Sequence, residues 1–340
     1  MILDINNLYL YSTSSMISQN CLLYISEYNI ATLNIFCINN NNKYIYKYAN
    51  EYLYLINYSY PNNFYYYNYI NIYNTIIHDN MKQVININEN VLQLFTTFSR
   101  GSVHGFSGFY YTLIEYITNF NKYKDLKLLF YKESDNGMLD IINFLCEKNI
   151  IDKSRIIYIE KNTYYEFLSI TFIPNNFHCF VEELIPIVNK FIENYLITEK
   201  SYVKDNICLL KTKNTTHFSS AGLFTISAVD NFTKKYSFNK INTDNEIELI
   251  NRIYNCSILL ISYGSCFFKN FIYISEKCKK VIVLIKGNSE LNDIHYITDY
   301  KNLCETNSPY QGTILKKYKN ADFIYKIIDN DDELNFNPFE

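Results

Sequence analysis

The hydrophobic pattern along the chain has two regimes. Over residues 1–90, short apolar and aromatic runs (LYLYS, CLLYIS, ATLNIFCI, KYIYKYA, EYLYLI) are separated by asparagine clusters, and Lys43-Tyr44-Ile45-Tyr46-Lys47 alternates with period two. That alternation predicts half-buried strands, so this part reads as β-rich. Beyond it, helical and extended patterns take turns. Residues 91–98 read as a helix, 99–108 as a glycine-rich loop, and 109–120 as an amphipathic helix with Leu113, Tyr116, Ile117 and Phe120 on one face. Strand 126–131, helix 138–148, strands 155–159 and 167–173, and helix 181–196 are predicted next. The polar stretch 199–205 reads as a linker. A second alternating set follows it: strand 207–211, a loop and helix across 219–228, strand 236–241, helix 246–254, strand 258–261, helix 267–275, strand 281–285 and a last strand 323–328.

The apolar runs around 258–261 and 281–285 contain almost no polar residue. Strands of that kind are covered on both faces, as in parallel sheets flanked by helices. The predicted fold class is therefore α/β, with two such domains: residues 91–200 form the first and 201–340 the second, with a β-rich N-terminal region, 1–90, packed on the first. Ligands of such sheets sit at the carboxyl ends of the strands, where the following helices begin. Two domains joined by a linker place an active site in the cleft between them.

Composition narrows the classes. The 340 residues are 48% hydrophobic and 19% charged, as expected for a folded chain with sizeable cores. With 35 Tyr, 24 Phe, no Trp and three Arg among 31 basic residues, the text has the accent of AT-rich genomes, large DNA viruses among them. The tyrosine cluster Tyr65 to Tyr73 consequently reads first as a sheet face, although aromatic faces also cover sugars. Nine cysteines without a C-x-x-C pair point to reduced thiols. The start MILDINNLYLYSTSS has no basic n-region, and no apolar stretch has the length of a membrane span. The expectation is a cytoplasmic protein, in the host cytoplasm for a virus. A net charge of −3 offers no basic footprint for nucleic acid.

Several residues are candidates for chemistry. Gly264 and Ser265, after a predicted strand and before a helix, suit a diphosphate or sugar cradle, or equally a plain turn with an N-cap. A serine nucleophile at Ser265, with Asp293 and His295 downstream, would need glycines where Tyr263 and Phe267 stand. His104, beside Gly105 and Ser107 in the glycine-rich stretch, can act as a general base or cap a helix. Glu115 is the carboxylate alternative, or a solvated helix residue. Lys211, Lys213, His217, Ser219 and Ser220 follow a strand end, where cations and hydroxyls can neutralise a diphosphate leaving group, or simply form a solvated loop. Asp329-Asn330-Asp331 imitates a cation-holding D-x-D, with only an acidic tail after it.

The order HGFSGFYYTLIEYI, KLLFY, RIIYIE, NICLLKTKNTTHFSSAGLFTI and NEIELINRIYNCSILLISYGSCFFKNFIYISEKCKKVIVLI resembles glycosyltransferase family 61 over roughly residues 95–290. The late turn Ser262 to Asn270 puts Gly264, Ser265 and Asn270 in the matching places. The resemblance implies a GT-B architecture of two facing Rossmann-like domains and inverting transfer from a nucleotide sugar, most simply a UDP-sugar, to a saccharide or protein hydroxyl without an obligatory metal. It puts Gly264, Ser265 and Asn270 around the donor, Lys211 and Lys213 near its diphosphate, and His104 as the base, with the Gly105–Ser107 loop on the acceptor side. Two departures stand out. Lysines replace the family's arginines after the strand, losing the bidentate fork, and the histidine of the usual late turn is missing. They motivate the alternative of a silent relative that binds a glycan or a partner protein.

Overall fold

A computed structural model describes residues 16–27, 33–39, 44–49, 52–56, 84–95, 103–173, 184–198, 205–212, 224–241, 243–286, 317–328 and 334–340. The chain divides into two units, Met1–His178 and Cys179–Glu340. Each is α/β and contains parallel strands, as Rossmann-like folds do.

In the first unit, β1 (Met16–Glu27), β2 (Leu33–Asn39), β3 (Tyr44–Ala49) and β4 (Tyr52–Ile56) form an antiparallel meander. β5 (Val84–Gln93), β6 (Lys127–Tyr131), β7 (Ile156–Ile159) and β8 (Tyr164–Phe172) form a parallel group. All eight belong to one sheet, ordered β4-β3-β2-β1-β8-β5-β6-β7. The N-terminal strands thus extend the first unit's sheet edge to edge through the antiparallel β1–β8 pair, rather than packing on it as a layer of their own.

Two predicted elements are overturned here. The helix expected at 91–98 gives way to the end of β5 and the two residues after it, where Val91, Leu92, Leu94 and Phe95 are buried. A short apolar run reads as either element, and pairing on both edges, with β8 and β6, decides for the strand. The glycine-rich loop is also shorter than expected, because α1 (Val103–Thr118) already contains His104, Gly105, Ser107 and Gly108. Burial of Phe106, Phe109, Tyr110 and Leu113 stabilises this turn-rich text as helix. At roughly 1.5–3 kcal/mol per large apolar side chain, such burial outweighs the roughly 1 kcal/mol that each helical glycine costs. A single helical turn, α2 (Phe120–Tyr123), then leads to β6, and α3 (Asn136–Glu147), capped by the Asp135 carboxylate on Gly137 N–H at 2.9 Å, leads to β7.

The second unit begins earlier than the expected boundary near residue 200. α4 (Leu184–Phe191) and the π-turn Ile192–Leu196 pack against elements of this unit. Its sheet comprises β9 (Asp205–Leu209), β10 (Asn239–Lys240), β11 (Cys256–Ser262), β12 (Lys280–Lys286), β13 (Lys317–Tyr318) and β14 (Ala321–Ile328), in the order β10-β9-β11-β12-β14-β13. All neighbours are parallel except the β13–β14 hairpin. Leu259, Leu260, Ile261, Val281, Ile282 and Val283 are fully buried, as their unbroken apolar text implies. The helix expected across 219–228 lies later, as α5 (Ile226–Tyr236), and leaves only Asn239–Lys240 of the strand expected at 236–241. Ile226, Val229, Phe232 and Tyr236 recur at helical spacing, and the buried Val229 and Phe232 anchor the helix in a core with Cys208, Leu260, Ile282 and Ile328. α6 (Glu246–Asn255) and α7 (Ser265–Asn270) complete the unit.

Candidate functional site

In the second unit, the chain leaves β9 toward β10 on one side and returns to β11 on the other. The carboxyl ends of β9 and β11 therefore flank the reversal of strand order, where doubly wound sheets take their ligands. Lys211, just past β9, and Ser262-Tyr263-Gly264, at the end of β11, meet there. The Lys211 N–H donates to Ser262 Oγ at 2.9 Å, and the Lys211 carbonyl accepts from Phe224 N–H at 2.9 Å. Tyr263 N–H donates to Leu284 O on the next strand at 2.9 Å, which anchors the turn's first residue. The backbone on both sides of the crevice is thus held by defined bonds.

Gly264 makes the turn possible. Its φ of 91° and ψ of −150° lie in a region that is essentially reserved for glycine, and nothing stands within 4 Å of where a Cβ would be. The backbone is open to close approach at this point. α7 starts directly after it, and Phe268 N–H closes the first turn on Gly264 O at 3.0 Å. Phe267, 1% exposed, pins the helix to the core through Phe271, Phe323 and Tyr325. Ser265 is in place as the first residue of α7, although its side chain lies outside the described part.

Asn270 points inward rather than into an open crevice. It is 4% exposed, and its Nδ2 donates to Cys266 O at 2.7 Å, while its Oδ1 has no hydrogen-bond partner. Burial pushes the Cys266 thiol up, and the nearby Lys211 and Lys269 ammonium groups pull it part of the way back. Beside them stands a group that the sequence did not single out. The buried Glu246 carboxylate, in the first turn of α6, accepts from Lys269 Nζ at 2.7 Å and from Tyr273 Oη at 2.8 Å. This partly buried pair ties α6 to α7. The hint in the text was Asn245 three residues ahead of Glu248: the Asn245 side chain caps the helix on Glu248 N–H at 2.9 Å and starts it at Glu246. Ser262, the polar end of an apolar strand, was the other legible hint.

The first-unit candidates are placed differently. Gly105 and Ser107 are buried inside α1, not in a loop, and Ser107 is 0% exposed. The helical fold of this stretch removes them from any acceptor-side loop. His104 sits in the first turn of α1, with its side chain outside the described part. Glu115 is engaged at the other end of the helix: its two oxygens accept from Tyr123 Oη and Asn119 Nδ2, each at 2.9 Å, and Lys122 lies 3.9 Å away. The arrangement joins α1 to α2, and burial together with the Glu115 charge pushes the Tyr123 hydroxyl well above its ordinary range. Lys213, His217, Ser219, Ser220, Asp293, His295, Asp329, Asp331 and the Tyr65–Tyr73 cluster lie outside the described residues.

Among the described residues, no group of three His, Cys, Asp or Glu is placed to hold a metal ion, and no helix is long and apolar enough to cross a membrane. No protein-family model matches the chain, and no curated protein is significantly similar to it.

Proposed function

We propose that the protein is a glycosyltransferase that moves a sugar from a nucleotide-sugar donor, a UDP-sugar first among them, to a hydroxyl of a glycan or protein acceptor with inversion. The observation that carries this reading is the meeting of Lys211 with the Ser262–Gly264 turn at the reversal of strand order. In this reading the second unit holds the donor. The open backbone at Gly264 admits the diphosphate, and the Lys211 ammonium stabilises the charge that grows on it as the glycosidic bond breaks. The fold is read as of the GT-B type, and His104 as the group that takes the proton of the acceptor hydroxyl. The acceptor oxygen attacks the anomeric carbon from the side opposite the diphosphate, which leaves with the bonding pair as the nucleoside diphosphate. Lysine serves as a point charge here, in place of an arginine fork.

A second reading, a module that binds a glycan or a partner without turnover, is favoured by one observation. Ser107 is buried and both Glu115 oxygens are engaged by Tyr123 and Asn119, so both residues serve the packing of the helix.

Titration calorimetry with UDP and a panel of UDP- and GDP-sugars, paired with mass detection of transfer, tests both. UDP is expected to bind, and Lys211→Ala to weaken it on the order of tenfold or more, the loss of one charge-assisted hydrogen bond. His104→Ala is expected to abolish transfer while leaving UDP affinity intact. Binding without transfer to any acceptor favours the second reading, and no nucleotide binding at all overturns the first.

A further inference from the structure

Two buried thiols meet at the opposite, amino-terminal end of the strands that carry the candidate site. Cys256 opens β11, and Cys278 lies two residues ahead of β12. Ile258 pairs with Lys280, and Lys279 N–H donates to Ser257 O at 2.9 Å, which carries the pairing back toward the strand start and sets Cys278 beside Cys256. Both residues are free cysteines and 0% exposed. The Cys278 thiol donates to Lys280 O at 3.5 Å. Neighbouring strands run roughly 4.8 Å apart, within the roughly 4.4–6.8 Å that Cα atoms of a disulfide span.

We propose that Cys256 and Cys278 are a redox pair that oxidises to a disulfide, closing residues 256–278 into a covalent loop around the turn at Gly264 and α7. The co-reactant is a small disulfide such as oxidised glutathione. The Cys278 thiolate attacks one of its sulfurs and releases the first small thiol, leaving a mixed disulfide on Cys278. Cys256 then loses its proton, attacks the Cys278 sulfur and releases the second small thiol. Two protein thiols are oxidised, one small disulfide is reduced to two thiols, and the two protons end on the released thiols. The interaction of the two neighbouring thiols lowers Cys278 and raises Cys256, which favours attack by Cys278 first. Reaction follows local opening of the strand starts, since both sulfurs are buried in the closed fold. The bridge would brace the strand, turn and helix against opening without touching Lys211 or Gly264.

The test uses the full chain, folded, in a series of oxidised-to-reduced glutathione ratios. Samples are quenched in acid, alkylated in denaturant and mapped by mass spectrometry. A Cys256–Cys278 cross-linked peptide is expected, appearing from the native protein, reversed by dithiothreitol, and accompanied by a rise in the thermal midpoint. Cys256→Ala is expected to replace it with a glutathione adduct on Cys278, and Cys146→Ser to leave it unchanged. The wild-type peptide map stands whether or not the variants fold. Full alkylation of both thiols after oxidation, a bridge formed only in unfolded protein, or pairing of either thiol with Cys208 or Cys266 overturns the proposal.

Discussion

Gly264 holds a backbone conformation with φ at 91° that a side chain makes costly, yet the space beside it is empty. Steric and conformational costs are therefore separable at this residue. Gly264→Ala is expected to lower the unfolding free energy by about 1–3 kcal/mol through backbone strain alone. Urea titration should show the shift in midpoint with an unchanged slope. Cys208 is a second residue with a readable consequence. Burial pushes its thiol from an ordinary 9.0 up to about 12. Above pH 9 the unfolded chain sheds this proton while the folded chain keeps it, so the contribution to stability is complete below pH 9 and is lost progressively as pH rises toward 12. Cys208→Ala is expected to flatten that part of the alkaline stability profile relative to wild type. An identical slope in both proteins would refute the assignment.

At the scale of elements, one asparagine helps to tie the segment after the boundary to the second unit. Asn251 in α6 donates to Leu196 O at 2.9 Å, and its Oδ1 accepts from Thr198 N–H at 2.8 Å, so the segment α4 to 198 is tied to the second unit. Asn251 is 8% exposed, and its removal leaves a buried carbonyl and a part-buried N–H unpaired. Asn251→Ala is expected to cost about 1–3 kcal/mol, measurable in urea. The segment's sequence reads as a helix with no clue to its owner, because its buried face, Leu184, Ile185, Val188 and Phe191, suits any apolar partner. β5 was lost to the sequence for a related reason. The run Val91-Leu92-Gln93-Leu94-Phe95, which closes β5 and follows it, has neither a strict alternation nor a helical gap, and neighbouring strands supply the missing specification. β11, β12 and β14 were legible within about two residues, since runs buried on both faces allow little else.

For the whole molecule, two units with their own cores imply two responses to heat. Scanning calorimetry is expected to resolve two transitions, and UDP at about a hundred times its dissociation constant to stabilise one of them by about 2.7 kcal/mol. That transition belongs to residues 179–340 in the proposed reading. UDP moving both transitions together, or neither, would argue against a donor site confined to the second unit.

By itself the sequence determined the α/β class, the buried strands β9, β11, β12 and β14, and the turn at Gly264, because apolar runs and glycine positions act locally. It also marked Lys211 as a cation after a strand. Only tertiary structure decided that Lys211 and Ser262 share one crevice, that His104, Gly105 and Ser107 belong to a helix, and that Glu246, Lys269 and Tyr273 converge. Those outcomes depend on strand order and on which helix covers which face, and both are set by long-range pairing that leaves no periodic trace in the chain.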